Sequence, residues 1–352
     1  MDLTGTAFFV VLVVVTGLVM IGTIAVWSRV RGPRPVRWLV HAAMIALCQL
    51  TAVCVVATWI NNSYGLYASW SDLFGTTRSP NAVAMPGPPV QRAKFNHGSQ
   101  GMLDTYFHGA RSALSGQVLV WIPPEYGRAA YRTKRFPVLM LLHGVPGSPQ
   151  SWLEHGGMPG AFADLLKQGR VHPFILVMPV VDPGSVDTDC TDLPHRKVAS
   201  WLAYDVPDLV RHKFRTLNGP DGWGLMGYST GGFCAAKLPL QYPKVFGAGA
   251  ALDPDRLSGD PAVLTDHELR RSNSPTHLVA GTRASVSLFL ATSRQDRISP
   301  PSAIEAFVTA AASSPVRVRT LVLPSGGHNY KTWTAQYPAA FGRLSEWLSG
   351  PR

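Results

Sequence analysis

The chain has 352 residues, 46% hydrophobic and 15% charged, with a formal net charge of +11 at pH 7. This length accommodates one large domain or two modest ones, and the apolar balance leans away from an ordinary soluble protein. The basic excess is dispersed, with no dense Lys/Arg tract and no aromatic-basic repeat, which excludes nucleic acid as an expected partner.

The apolar excess lies at the N-terminus. Phe8 to Trp27 and Trp38 to Ile60 carry no charged residue, and each is long enough to cross a hydrocarbon core of about 30 Å as a helix. Ser28 to Arg37 between them holds Arg29, Arg31, Arg34 and Arg37 and no acid, which assigns that loop to the cytoplasm and both termini to the outside. Met1 to Gly5 lacks a basic flank and no small-x-small cleavage site follows, so a retained hairpin is expected rather than a cleaved signal peptide. Two buried core helices are a poorer reading, because almost no face of either segment is polar. Gly17, Gly22, Ala42, Ala43 and Ala46 permit close helix contact, with each other or with a membrane partner.

The organisation expected is a two-helix transmembrane hairpin over 1–62, a Pro-rich linker over 63–97 with Pro80, Pro86, Pro88 and Pro89, and a catalytic domain over 98–352. In that last part, Gln117–Ile122, Pro137–Leu142, Phe174–Met178, Trp223–Met226, Gly247–Leu252, Ser285–Ala291 and Val316–Leu323 read as strands. Ala161–Gln168, Trp201–Phe214, Phe233–Gln241 and Ala303–Ala312 read as helices. Such alternation implies βαβ units and a mostly parallel sheet covered on both faces, with chemistry at the carboxyl ends of its strands.

At the end of one such strand stands Gly227-Tyr228-Ser229-Thr230-Gly231. A Gly-x-Ser-x-Gly run between a strand and a helix is the pattern of a nucleophile elbow, which presents the serine hydroxyl above a sharp turn. Serine needs a base to take its proton, and the base needs an acid to orient it and to stabilise its cation. His328, on a glycine-rich turn after the last predicted strand, is the best placed of the eleven histidines; His267 and His277 sit in less suitable surroundings. Asp296 follows a strand and is the acid expected, with Asp253 its main rival and Glu305 a weaker one.

The oxyanion requires two preorganised donors. One is the backbone N–H of Thr230, the residue after the nucleophile; the other comes from the loop His143-Gly144-Val145-Pro146-Gly147, with Val145 preferred and Gly144 as its alternative. His143 reads as a brace of that loop. Tyr330, Trp333 and Trp152, close to these loops in sequence, are candidate substrate-binding walls. Cys48 and Cys54 fall within the second apolar segment, whereas Cys190 and Cys234 either form a disulfide pinning a loop to the helix behind the elbow or remain buried thiols.

The run Leu141-Leu142-His143-Gly144-Val145-Pro146-Gly147-Ser148 followed by Trp152, the elbow at 227–232, and Gly326-Gly327-His328 followed by Trp333 together resemble the esterase D-like α/β-hydrolases. That group includes feruloyl and other carboxylesterases and, more distantly, mycolyltransferases. The resemblance covers about residues 100–349. It implies the α/β-hydrolase fold, a Ser229-His328-Asp296 triad, oxyanion donors at Thr230 and Val145, and neither metal nor organic cofactor. The activity expected is that of a membrane-anchored extracytoplasmic serine esterase acting on a lipid, glycan or small aryl or acyl ester. Acyl transfer to an envelope sugar and non-catalytic envelope binding are the alternatives.

Overall fold

Residues 138–142 and 175–179 read Val-Leu-Met-Leu-Leu and Ile-Leu-Val-Met-Pro, and every one of them is buried. Continuous apolar runs of this kind belong to strands covered on both faces, where alternation with polar residues would leave polar groups in a core. The computed structural model describes residues 6–64, 93–184 and 186–352. It divides into two compact units, Met1–Asn81 and Ala82–Arg352.

In the first unit, helices Thr6–Trp27 and Arg34–Tyr64 pack against each other. Trp27 stacks on His41 at 4.1 Å, and Thr23 Oγ1 lies 3.4 Å from Cys48 Sγ. Both helices are long and apolar enough to cross a membrane, over Phe8–Trp27 and Arg34–Trp59. Their large side chains point outward, with Leu18, Ile24, Trp38 and Leu39 more than 60% exposed. Between residues 65 and 92, the Pro-rich stretch expected as a linker lies outside the described residues.

The second unit is built on a nine-stranded sheet of order β1-β2-β3-β5-β4-β8-β9-β10-β11. Its strands are β1 (Asn96–His97), β2 (Met102–His108), β3 (Ser115–Trp121), β4 (Val138–Leu142), β5 (Ile175–Pro179), β8 (Trp223–Ser229), β9 (Ala248–Pro254), β10 (Ser287–Ser293) and β11 (Arg317–Leu323). From β5 to β11 all neighbours are parallel, whereas β1, β2 and β3 add on antiparallel. A short hairpin, β6 (Asp192–Leu193) with β7 (Arg196–Lys197), stands apart.

Because successive strand residues point to opposite faces, each parallel strand feeds two cores. Leu139, Leu141, Leu176 and Met178 meet Phe162 and the final helix, Tyr330–Trp347, through Tyr337 and Phe341. Val138, Met140, Leu142, Ile175 and Val177 meet Trp201, Leu202, Val206 and Leu209 on the other face, together with Leu238 of the helix Thr230–Gln241. A third cluster joins Leu288 and Leu290 to Ile304 and Phe307 of the helix Pro301–Ala311.

The predicted strands and helices all occur, with boundaries shifted by a few residues, and the sheet has the α/β-hydrolase arrangement. Strand β2 and the final helix are among the elements with no counterpart in the sequence reading. Strand β2 mixes buried Met102, Thr105 and Phe107 with exposed Tyr106 and His108, as a partly solvated antiparallel strand does. The final helix contains Pro338 and is capped by Asn329, whose side chain accepts from the Thr332 N–H at 3.1 Å. The helix predicted at Trp201–Phe214 opens earlier, at Val198, and passes through a π-helical turn over Trp201–Asp205. That turn aims the Asp205 carboxylate at the N–H groups of Arg111 and Ser112, 2.9 and 2.8 Å away.

A disulfide joins Cys190 to Cys234, with Cα atoms 5.8 Å apart, so the loop that follows β5 is tied to the helix Thr230–Gln241. Lys237 of the same helix is wholly buried; its ammonium donates to the carbonyls of Asp189 and Cys190 at 2.8 and 3.1 Å and to Thr191 Oγ1 at 2.7 Å. Burial pulls this amine down to about 7 against the opposing charge of Asp189. Replacing both Cys190 and Cys234 by Ser should lower unfolding free energy by about 2 to 4 kcal/mol, the range for closing a loop of this size. Urea unfolding with and without reductant checks this: reductant should weaken the wild-type protein and leave the double variant unchanged.

Candidate active site

Ser229 ends β8 and precedes the helix Thr230–Gln241 with φ 57° and ψ −127°. A serine in this region is strained by about 1 kcal/mol or more, and close packing on both sides holds it there. A Cβ on Gly231 would fall 2.1 Å from the Leu142 carbonyl oxygen and 2.5 Å from that of His143, and one on Gly227 would fall 2.2 Å from the Gly231 oxygen. Only glycine lets the chain reverse this tightly against β4. Thr230 opens the helix, where backbone N–H groups lack intrahelical acceptors.

The loop after β4 lies directly against the serine: a Cβ on Gly144 would be 2.9 Å from Ser229 Cβ. Val145 follows, half-buried. His143 secures the loop from below, its Nδ1 2.8 Å from the Gly144 oxygen and its Nε2 3.0 Å from the Val181 N–H. An N–H can only donate, so Nε2 is the acceptor and Nδ1 carries the proton. Burial holds this imidazole down at about 4, so it is neutral and serves as a brace.

His328 comes from the turn between β11 and the final helix. Gly326 has φ 138° and donates its N–H to Gln295 Oε1 at 3.1 Å, and the Gly327 N–H donates to Thr332 Oγ1 at 3.0 Å. These contacts aim the ring at the elbow. His328 Nε2 lies 2.8 Å from Ser229 Oγ, and Nδ1 lies 2.9 Å from Asp296 Oδ2. The other Asp296 oxygen accepts the N–H groups of Ile298 and Ser299 at 2.8 and 2.9 Å. Burial works against charge on both groups, yet their mutual bond prevails: His328 is raised above its ordinary value and Asp296 is lowered.

Asp253, the rival acid, reaches a different set of partners. It is fully buried, accepting from Thr292 Oγ1 at 3.2 Å and from Gln336 Nε2 at 2.7 Å, and it packs beside Asp296. Burial and the neighbouring Asp296 push its carboxyl up to about 8. Glu305 is exposed on the helix Pro301–Ala311, and His267 and His277 are exposed.

The candidate wall residues separate by depth. Tyr330 is half-buried with its hydroxyl 2.9 Å from that of Tyr228. Trp333 is buried, stacks on Tyr228 at 4.3 Å and lies at right angles to the His328 ring at 5.3 Å. Trp152 is fully buried, 4.9 Å from the Tyr228 ring. This corrects its expected role: a side chain without accessible surface supports the floor of the site and does not meet substrate.

Two acids beside Ser229 were not anticipated. Ser229 Oγ is 3.2 Å from Asp255 Oδ1, and Thr230 Oγ1 lies 2.6 Å from Asp255 Oδ2 and 3.3 Å from Asp187 Oδ2. The acid density of Asp182, Asp187 and Asp189 after β5 was the only local signal. Among the described residues, no group of three or more His, Cys, Asp or Glu is arranged to hold a metal ion.

Comparison with known proteins places this geometry in context. The family model Esterase, described as "Putative esterase", matches residues 115–344. An uncharacterized protein of Corynebacterium glutamicum is 29% identical over 130 residues, 36% of this chain and 30% of its own length. An endo-1,4-beta-xylanase/feruloyl esterase of Xylanibacter ruminicola is 24% identical over 207 residues, 54% of this chain and 27% of its own length. The chain thus spans less than a third of the length of these curated relatives. Among solved structures, a ferulic acid esterase superposes with a TM-score of 0.62 at 18% identity, covering 70% of this chain and 98% of its own. An S-formylglutathione hydrolase from Agrobacterium tumefaciens gives 0.58 at 18% identity, covering 73% and 99%. At such identities the likeness establishes the fold.

The raised Asp253 has a consequence for stability. An acid whose folded pKa lies at about 8, against 3.8 when free, binds its proton more tightly in the folded state, so its contribution is lost as pH rises through that window. Asp253→Asn is neutral throughout. Measured by urea unfolding at about pH 5 and about pH 8, the stability of Asp253→Asn relative to wild type should increase with pH; a constant or falling difference would show that Asp253 is charged in the fold.

Proposed function

Because this chain belongs to the esterase family, we propose that it is a serine ester hydrolase whose nucleophile is Ser229, whose base is His328 and whose orienting acid is Asp296. The observation that carries this reading is the unbroken hydrogen-bonded line from Asp296 Oδ2 through both nitrogens of His328 to Ser229 Oγ, at 2.9 and 2.8 Å.

In the reaction, Ser229 Oγ attacks the ester carbonyl as its proton passes to His328 Nε2, while Asp296 stabilises the imidazolium at Nδ1. The N–H groups of Thr230 and Val145 receive the oxyanion. His328 then gives its proton to the departing alcohol, leaving an acyl group on Ser229. Water, deprotonated by the same imidazole, releases the acid and restores the serine. Tyr330, half-buried and packed on the buried Trp333, borders the approach to His328 and is the side chain assigned to substrate contact.

The anchoring belongs to the same reading. The two apolar helices and the Arg29, Arg31, Arg34 and Arg37 loop support a hairpin with its loop in the cytoplasm and the hydrolase unit on the far side of the membrane, over a linker spanning about residues 63–97. Esters of envelope lipids or glycans, or small extracellular esters, are then the accessible substrates.

Ser229→Ala should lower hydrolysis of a short-chain p-nitrophenyl ester by on the order of 10⁴-fold to 10⁶-fold and abolish labelling by a fluorophosphonate probe; retained activity would remove Ser229 from the mechanism. Reporter fusions test the topology. A reporter after Arg37 should be active only in its cytoplasmic form and one after Arg352 only in its exported form; a cytoplasmic signal from the second would overturn the anchoring.

A further inference from the structure

Strands β8 and β9 are parallel neighbours and end at the same level, so the residue just past β9 falls beside the residue that ends β8. That residue is Asp255. Its backbone N–H donates to the Ser229 carbonyl at 3.2 Å, and its carboxylate is within 3.2 Å of Ser229 Oγ. It is half-buried, within reach of a molecule entering the site.

Ser229 has a single hydroxyl proton and two acceptors to choose from. When His328 is neutral, with its proton on Nδ1 toward Asp296, its Nε2 takes the serine proton, and Asp255 Oδ1 is left facing an oxygen lone pair. When His328 is protonated, Nε2–H donates to Ser229 Oγ and the serine proton is free to serve Asp255. With Asp255 a carboxylate, both contacts are satisfied only in this second arrangement, in which His328 cannot act as a base. Thr230 Oγ1 poses the same problem a step away: it has one proton for Asp255 Oδ2 at 2.6 Å and Asp187 Oδ2 at 3.3 Å. The protein's own groups around the nucleophile are thus short of hydrogen-bond donors.

We propose that Asp255 is a specificity-determining residue that competes with His328 for the Ser229 proton and is relieved by a hydroxyl group on the substrate, so that the enzyme prefers esters with a hydroxyl close to the scissile bond. This rests on Ser229 and His328 being nucleophile and base. A substrate hydroxyl donating to Asp255 frees the serine proton for His328 and offsets a negative charge that opposes the oxyanion. The groups facing His328 are Asp296, Asp255 and the protonated Asp253; the hydrogen bond to Asp296 and the nearby carboxylate charge outweigh burial and raise it. Those behind Asp255 are Asp187 and Asp189, the latter balanced by Lys237.

The test uses the full chain in detergent and two matched pairs: glycerol monoacetate against propyl acetate for a hydroxyl on the alcohol, and ethyl lactate against ethyl propionate for one on the acyl group. In wild type, at least one pair should favour the hydroxylated ester by about tenfold beyond its ratio in alkaline hydrolysis. Asp255→Asn should reduce that preference by about tenfold and move the acid limb of kcat/KM down by about half a pH unit or more, because the imidazolium loses a stabilising charge. The pH dependence of fluorophosphonate labelling reads the same limb without an ester and confirms that the variant is folded. No preference in either wild-type pair overturns the proposal, as does an Asp255→Asn protein that labels with an unmoved limb or keeps the wild-type ratio. Ser229→Ala run alongside separates the two readings: activity retained there removes the nucleophile itself, whereas an inactive Ser229→Ala with an indifferent Asp255→Asn removes only the role of Asp255.

Discussion

The approach of the helix Thr230–Gln241 to the end of β4 governs the site. Gly231 lies so near the Leu142 and His143 carbonyls that no side chain fits between them. One backbone contact thereby fixes three things: the turn that lifts Ser229 into a left-handed conformation, the position of the Thr230 N–H, and the height of the loop carrying Gly144 and Val145. The strain at Ser229 is sustained because β8 lies at the middle of the sheet, flanked by β4 and β9 and buried along its whole length.

Charge around the elbow is arranged in layers. Most buried is Asp253, a carboxyl that burial keeps protonated and that Thr292 and Gln336 hold in place. Next to it, Asp296 keeps its charge through two backbone N–H groups and His328. Beside Ser229 stand Asp255, which meets its hydroxyl directly, and Asp187, which meets the hydroxyl of Thr230. Two acids that a chain-order argument treats alike, each at the end of a strand, are therefore separated by environment: one is neutral and structural, the other charged and bonded to the imidazole.

Much of the architecture was legible because its cause is local. Strands buried on both faces announce themselves as short apolar runs between glycines and prolines, and the elbow, the His143 loop and the His328 turn each depend on adjacent residues. Strand β2 escaped because one of its faces is solvated and its pattern is mixed, and the final helix because Pro338 and its polar residues mask its period. Asp255 escaped for a different reason. Its contact with Ser229 depends on β9 lying next to β8, and strand order is set by the packing of the whole sheet. Trp152 was misjudged because closeness to a catalytic loop in sequence says nothing about depth.

The bond between Cys190 and Cys234 also encloses what lies between them. That segment contains the β6–β7 hairpin, the helix Val206–Lys213, all of β8, and both Ser229 and Thr230. Ser229 therefore belongs to a covalent ring as well as to a folded sheet. A single backbone cut within this ring, for instance in the exposed turn around His195, opens it without releasing either piece, and Lys237 still clasps the carbonyls of Asp189 and Cys190 from within. In a protease-rich setting, such a chain can be nicked and still keep the parts of its active site joined.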